Sequence, residues 1–170
     1  MLIEDDLVRF CESARGFGAV EARPVSPETV VTAPWVRLKC QYGCGGYGRR
    51  LTCPPYSPTP EQMRAVLDGF TWAILVRGDD KTDMSQVVAD LEREVFLAGY
   101  HQAFGMGSGP CQLCPECDVS QPCRNGERAR PSMEASGIDV FATARNNGLP
   151  IQVLTSNECR GNYYGLVLIC

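Results

Sequence analysis

The sequence predicts an α/β fold of the α+β sandwich type, a small mixed sheet covered by helices, in one domain over residues 1–170. Three observations carry this. From residue 60 onward, stretches of helical period alternate with short apolar runs. Hydrophobic residues make up 44% and charged residues 21%, ordinary globular usage that excludes a disordered tail. A length of 170 residues suits one domain with a core of normal size. Two cysteine-rich loops, near 40–58 and 109–131, interrupt the alternation.

The elements follow in order. Residues 4–16 read as a helix: Ile3, Leu7, Phe10, Cys11 and Ala14 share one face, and Gly16 and Gly18 end it. Cys11 lies on that apolar stripe and reads as a small packed hydrophobe. Residues 19–23 and 30–32 are expected strands, separated by Pro24, Ser26 and Pro27. The glycines of 43–48 and the prolines at 54, 55 and 58 argue against a regular element over 40–58, leaving an ordered loop organised by its cysteines. Thr59-Pro60-Glu61 starts a helix to about Leu67, stopped near Gly69. Residues 71–77 form a nearly continuous apolar run, the pattern of a strand buried on both faces. Asp83 caps a helix to about Ala98 that buries Val87, Val88, Leu91 and Val95. Residues 101–106 are the next strand, 138–147 a helix closed by Gly148 and Pro150, and 163–169 the last strand.

Composition excludes several functions. No apolar run approaches the roughly 20 residues of a membrane span. The first residues, Met1-Leu2-Ile3-Glu4-Asp5-Asp6, are acidic where a secretion signal is basic, so a cytoplasmic location is expected. With 16 Lys+Arg against 20 Asp+Glu the net charge is −4, which argues against a protein that grips nucleic acid through its phosphates.

The unusual quantity is 10 cysteines against 1 histidine. In a reducing compartment such cysteines bind metal or do redox chemistry rather than form disulfides. A site built mostly from thiolates selects iron–sulfur clusters, zinc or Cu(I). Cys111, Cys114, Cys117 and Cys123 run as C-x2-C-x2-C-x5-C. The first three cysteine positions match the bacterial ferredoxin run, and the last spacing is longer. Structural zinc sites use two separated C-x2-C pairs, so the spacing favours a [4Fe–4S] cluster over zinc, the alternative. Cys40, Cys44 and Cys53 run as C-x3-C-x8-C, which departs from the C-x3-C-x2-C of radical S-adenosylmethionine enzymes. These three thiols are candidates for a second metal centre, with one iron open or with Cys159 as a distant fourth ligand.

Around the runs, Arg49, Arg50, Arg124, Arg128 and Arg130 supply cations that suit an anionic cluster, and Gly105, Gly107 and Gly109 would let backbone amides approach sulfide. Tyr42, Tyr47 and Tyr56 are candidates to shield the first site. His101 reads as a structural residue, and no nucleophile–histidine–acid arrangement is visible.

In these same residues the sequence resembles the predicted metal-binding protein family, domain of unknown function 2284. The likeness rests on Lys39-Cys40 with Cys44 and Tyr47-Gly48, then Cys53-Pro54-Pro55. It continues through Cys111, Cys114, Cys117 and Pro122-Cys123-Arg124 to Arg130-Pro131-Ser132-Met133-Glu134-Ala135 and Gly137-Ile138-Asp139-Val140. It does not extend to Cys159. The resemblance implies metal binding, with iron–sulfur as the centre, and no defined reaction. Three roles follow as expectations: electron transfer to a protein redox partner, an enzyme whose open iron acts as a Lewis acid, or a zinc-stabilised interaction module.

Overall fold

The computed structural model describes residues 3–170. Met1 and Leu2, which begin the acidic N-terminal stretch, lie outside the described residues. The elements run α1 (Ile3–Gly16), β1 (Glu21–Val25), α2 (Trp35–Gly43), α3 (Pro60–Leu67), β2 (Ala73–Gly78), α4 (Met84–Leu97), β3 (Phe104–Met106), α5 (Val140–Asn146) and β4 (Tyr163–Leu168). Short 3-10 turns stand at Pro27–Thr29 and Glu134–Ser136.

The strands form one sheet in the order β1-β2-β4-β3. The α+β sandwich stands, but every strand pairing is antiparallel, so the sheet is not the mixed one expected. The reason is topological. The chain leaves β2 through α4 and returns as β3 in the same direction, and β4 then inserts between the two, antiparallel to both.

Two cores lie on opposite faces of the sheet, and the period of a strand assigns residues to each. Ile74 and Val76 of β2 and Val167 of β4 join Leu7, Phe10, Val88, Leu91 and Val95 from α1 and α4. Ala73 and Leu75, with Leu166 and Leu168, join Met63, Leu67, Met133, Ile138 and Ala144. This double burial explains the unbroken apolar run of β2. Each of its large side chains, taken fully from water, contributes about 1.5–3 kcal/mol. Cys11 is packed in the first core as expected, and burial pushes its thiol up to about 11.

Helix starts follow their capping residues. Thr59 forms a capping box with Gln62, Asp83 accepts from the Gln86 amide, and Asp139 accepts from the Ala142 amide. Asp139 therefore moves the start of α5 to Val140, and Ile138 is buried below it, bridged to Thr32.

Other boundaries differ from expectation. Residues 30–32 make only that single bridge, because Ser26 caps a 3-10 turn that carries the chain away from the sheet edge. β1 extends through Pro24, which the edge position tolerates because no ladder hydrogen bond is required on its open side. The third strand shortens to Phe104–Met106, leaving His101 exposed in the turn after α4. Cys40 is not in a loop: it belongs to α2, whose helix ends at Gly43.

Candidate metal centre and its cavity

The first cysteine run is built from a helix end and a chain of turns. Cys40 lies in the last turn of α2 and Cys44 is its C-cap. Successive turns then close through Arg49 N to Gly46 O (3.1 Å), Cys53 N to Arg50 O (3.0 Å) and Gly48 N to Pro54 O (2.8 Å). They bring Cys53 back beside Cys44 around Gly46. A Cβ on Gly46 would stand 3.2 Å from Cys53 Sγ, 3.6 Å from Cys44 Sγ and 3.5 Å from Pro110 Cβ. The Gly46 amide donates to Cys44 Sγ at 3.4 Å. Cys40 Sγ donates to the Glu134 carbonyl at 3.9 Å, tying α2 to the turn at 134–136.

The second run meets this site at its first cysteine. Pro110 touches the Gly46 position, and Arg50 Nη1 donates to the Cys111 carbonyl at 2.5 Å. The thiols feel one another. Burial raises the Cys53 thiol, the Thr52 hydroxyl lowers it, and Cys44 and Cys111 both push it up further. Burial likewise raises Cys40, with Cys44 adding to it. Sequence spacing divides the thiols by run, and this contact across the runs is invisible to it.

Farther along the second loop, Asn125 Nδ2 donates to Cys114 Sγ at 3.1 Å. Cys117 is half-buried and Cys123 exposed. Cys159 stands in a separate turn, where its Sγ lies 3.4 Å from Ser156 Oγ and 3.8 Å from Thr155 Oγ1. The Ser156 hydroxyl, followed by the amides of Thr155 and Ser156, brings its thiol down to about 7. All ten cysteines are free thiols. Among the described residues no three His, Cys, Asp or Glu side chains are gathered closely enough to hold a metal ion.

The surrounding cations and glycines have assignments the sequence did not separate. Arg50 holds the Cys111 carbonyl, Arg128 reaches Gln86, and Arg130 pairs with Glu92. The Gly105 amide donates to Glu92 Oε2 rather than toward a thiol. Of the three tyrosines, Tyr47 lines the site, while Tyr42 and Tyr56 are exposed.

Cys40, Cys44 and Cys53 form one wall of a cavity of about 790 Å³. Further lining comes from α5, from residues 151–154 and from the start of β4. Glu134 reaches it as well. Its Oε2 is sealed from solvent without a hydrogen-bond partner, and burial pushes its carboxyl up. In the sequence Glu134 stands out only within the Arg130–Ala135 stretch that carries the family resemblance, because nothing in the local pattern marks an unpaired carboxylate.

These observations fit a thiolate-held metal. The donor set is sulfur, the helix end and turns present it on one side of a cavity, and a bare Cα at Gly46 keeps the space between two thiols open. The class is thus an α+β protein with a cysteine-lined cavity. The chain belongs to the family described as predicted metal-binding protein (DUF2284), whose model matches residues 23–169. No curated protein and no solved structure matches the chain. No helix among the described residues is long and apolar enough to cross a membrane.

Proposed function

We propose that this protein carries a [4Fe–4S] cluster and passes electrons to, or maintains, a protein redox partner. The observation that carries the reading is the meeting of Cys44 and Cys53 at Gly46 with Cys111 brought alongside. On this reading Cys40, Cys44, Cys53 and Cys111 hold the cluster, one thiolate more than the first run offers alone. Cys114, Cys117 and Cys123 remain for a second centre, where Asn125 donates to sulfur. Such donors stabilise the reduced, more negative state.

A bound cluster supplies a group that takes up and releases one electron. The chain's own residues do the rest. Burial of Cys53 and Pro54 limits water at the Cys53 sulfur, and the Gly46 amide offsets negative charge on the exposed Cys44. A partner would meet the outer side of α2, where Trp35, Leu38 and Tyr42 are exposed at helical spacing on the face turned away from Cys40.

Anaerobic purification followed by iron and acid-labile sulfide assays tests the reading, together with electron paramagnetic resonance of the dithionite-reduced protein. Stoichiometric iron and sulfide with a reduced-cluster signal are expected. A colourless protein with stoichiometric zinc would refute it in favour of a structural module.

A further inference from the structure

The cavity beside the thiols is far larger than a single cubane needs. At about 790 Å³ it is the size of a small-molecule site, on the order of 300–1,000 Å³. Its walls are mainly apolar, and aromatic side chains recur on them: Trp35, Tyr47, Phe141, Tyr163 and Tyr164. Its rim leaves apolar groups in water. Val153 is 69% exposed, Trp35 47% and Leu154 43%. Apolar side chains concentrated at the mouth of an apolar cavity are a standing cost that an apolar ligand removes.

One polar feature on the wall is unpaid. Glu134 Oε2 has no solvent and no hydrogen-bond partner. Three polar neighbours on the wall are engaged: Tyr164 donates to the Pro150 carbonyl, Tyr163 to Asp80, and Asp139 accepts from the Ala142 amide. A sealed carboxyl oxygen without a partner calls for a donor from the ligand.

We propose that this cavity binds a planar aromatic small molecule carrying a hydroxyl or ring N–H, with the Glu134 side chain turning into the cavity so that Oε2 takes that donor and the ring lies against the aromatic wall. The inference goes beyond electron transfer: the thiol wall would then face a bound organic molecule, and Lys39 at the rim would accept an anionic substituent on it.

The test uses full-length protein of measured metal content, with 2-naphthol, 2-methoxynaphthalene and isothermal titration. The 2-naphthol donates a hydrogen bond and its methyl ether does not. Saturable one-to-one binding of 2-naphthol is expected, with the ether about tenfold weaker because the carboxyl oxygen stays unpaired. In Glu134→Gln, whose amide also presents a donor, the two affinities should converge. Val153→Trp, at an exposed rim position, should weaken 2-naphthol about tenfold by filling the mouth, with metal content unchanged. Equal affinity of the two probes, absence of saturation, or an unaffected Val153→Trp would overturn the proposal. Binding of 2-naphthol by a protein lacking iron would leave this inference standing and sink the cluster reading. Full iron content without 2-naphthol binding would do the reverse.

Discussion

Arg130 grips Glu92 with two parallel hydrogen bonds, Nε to Oε2 and Nη2 to Oε1, each 2.6 Å. Both side chains are mostly buried. Glu92 Oε2 also accepts from the Gly105 amide at 2.7 Å, and Arg130 stacks over the Phe104 ring at 5.3 Å. One carboxylate on α4 thus fastens β3 and the end of the second cysteine loop to the body of the fold. Glu92→Gln should cost about 2–3 kcal/mol in urea unfolding, because it leaves a buried guanidinium without its counter-charge. Arg130→Lys should cost less, since it keeps the charge and loses the bidentate geometry. Equal stability of Glu92→Gln and the parent would show that the clasp is dispensable.

Grouping of the thiols is open to direct test. Cys53→Ala and Cys111→Ala should abolish the same spectroscopic signal if the two residues serve one centre. Cys159→Ala should leave metal content intact, since its hydrogen-bond partners are Ser156 and Thr155. Loss of two different signals from the first pair would restore the division by sequence run, with Cys111, Cys114, Cys117 and Cys123 holding a cluster of their own.

Gly46 keeps the space between Cys44 and Cys53 clear. In Gly46→Ala the new methyl stands 3.2 Å from Cys53 Sγ, so a thiol must move. Metal occupancy measured after anaerobic purification should fall, while the unfolding free energy of the metal-free protein in urea changes by no more than about 1 kcal/mol. Unchanged occupancy would place the metal elsewhere.

The pH dependence of stability has an identifiable contributor. Tyr100 donates to Asp6 Oδ2 at 2.6 Å, and Arg9 to Oδ1 at 2.7 Å. The Tyr100 hydrogen bond first, opposed by burial and aided by Arg9, holds the Asp6 carboxyl below its ordinary value. A carboxylate depressed in the folded state contributes stability that is complete above its unfolded value and is lost as pH falls through the lower folded value. Tyr100→Phe should therefore cost about 1–2 kcal/mol at neutral pH. The difference should shrink in acid, below the usual carboxylate range. Burial, then Asp6, pushes Tyr100 up to about 12, so its contribution is complete below the ordinary tyrosine value and fades as pH rises toward about 12. Chemical denaturation of both proteins from acid to alkaline pH would show whether the gap closes.

Thiol reactivity should rank the cysteines. Cys159, brought down to about 7, should be alkylated by iodoacetamide with half-maximal rate near that pH. Cys11, buried and raised to about 11, should stay unmodified in the native protein. Mass spectrometry of peptides after brief labelling reads both. Labelling of Cys11 ahead of Cys159 would contradict the burial and hydrogen bonding described.

Much of this protein was determined locally and could be read from its amino acids alone. The stripe of Leu7, Phe10, Cys11 and Ala14 makes α1, the Thr59 and Asp83 caps start their helices, and the apolar run through Ile74, Leu75 and Val76 is a strand covered on both sides. Each depends on the period of the side chains or on a cap within a few residues. Family membership was legible for the same reason: it is written in the cysteine spacings and the Arg130–Val140 stretch. Strand direction, the partner of Cys111, the Arg130–Glu92 clasp and the unpaired carboxyl of Glu134 were not legible. These depend on segments tens of residues apart being pressed together. Two cores must close on a single sheet, and that burial, rather than any preference of the residues concerned, selects which distant groups meet.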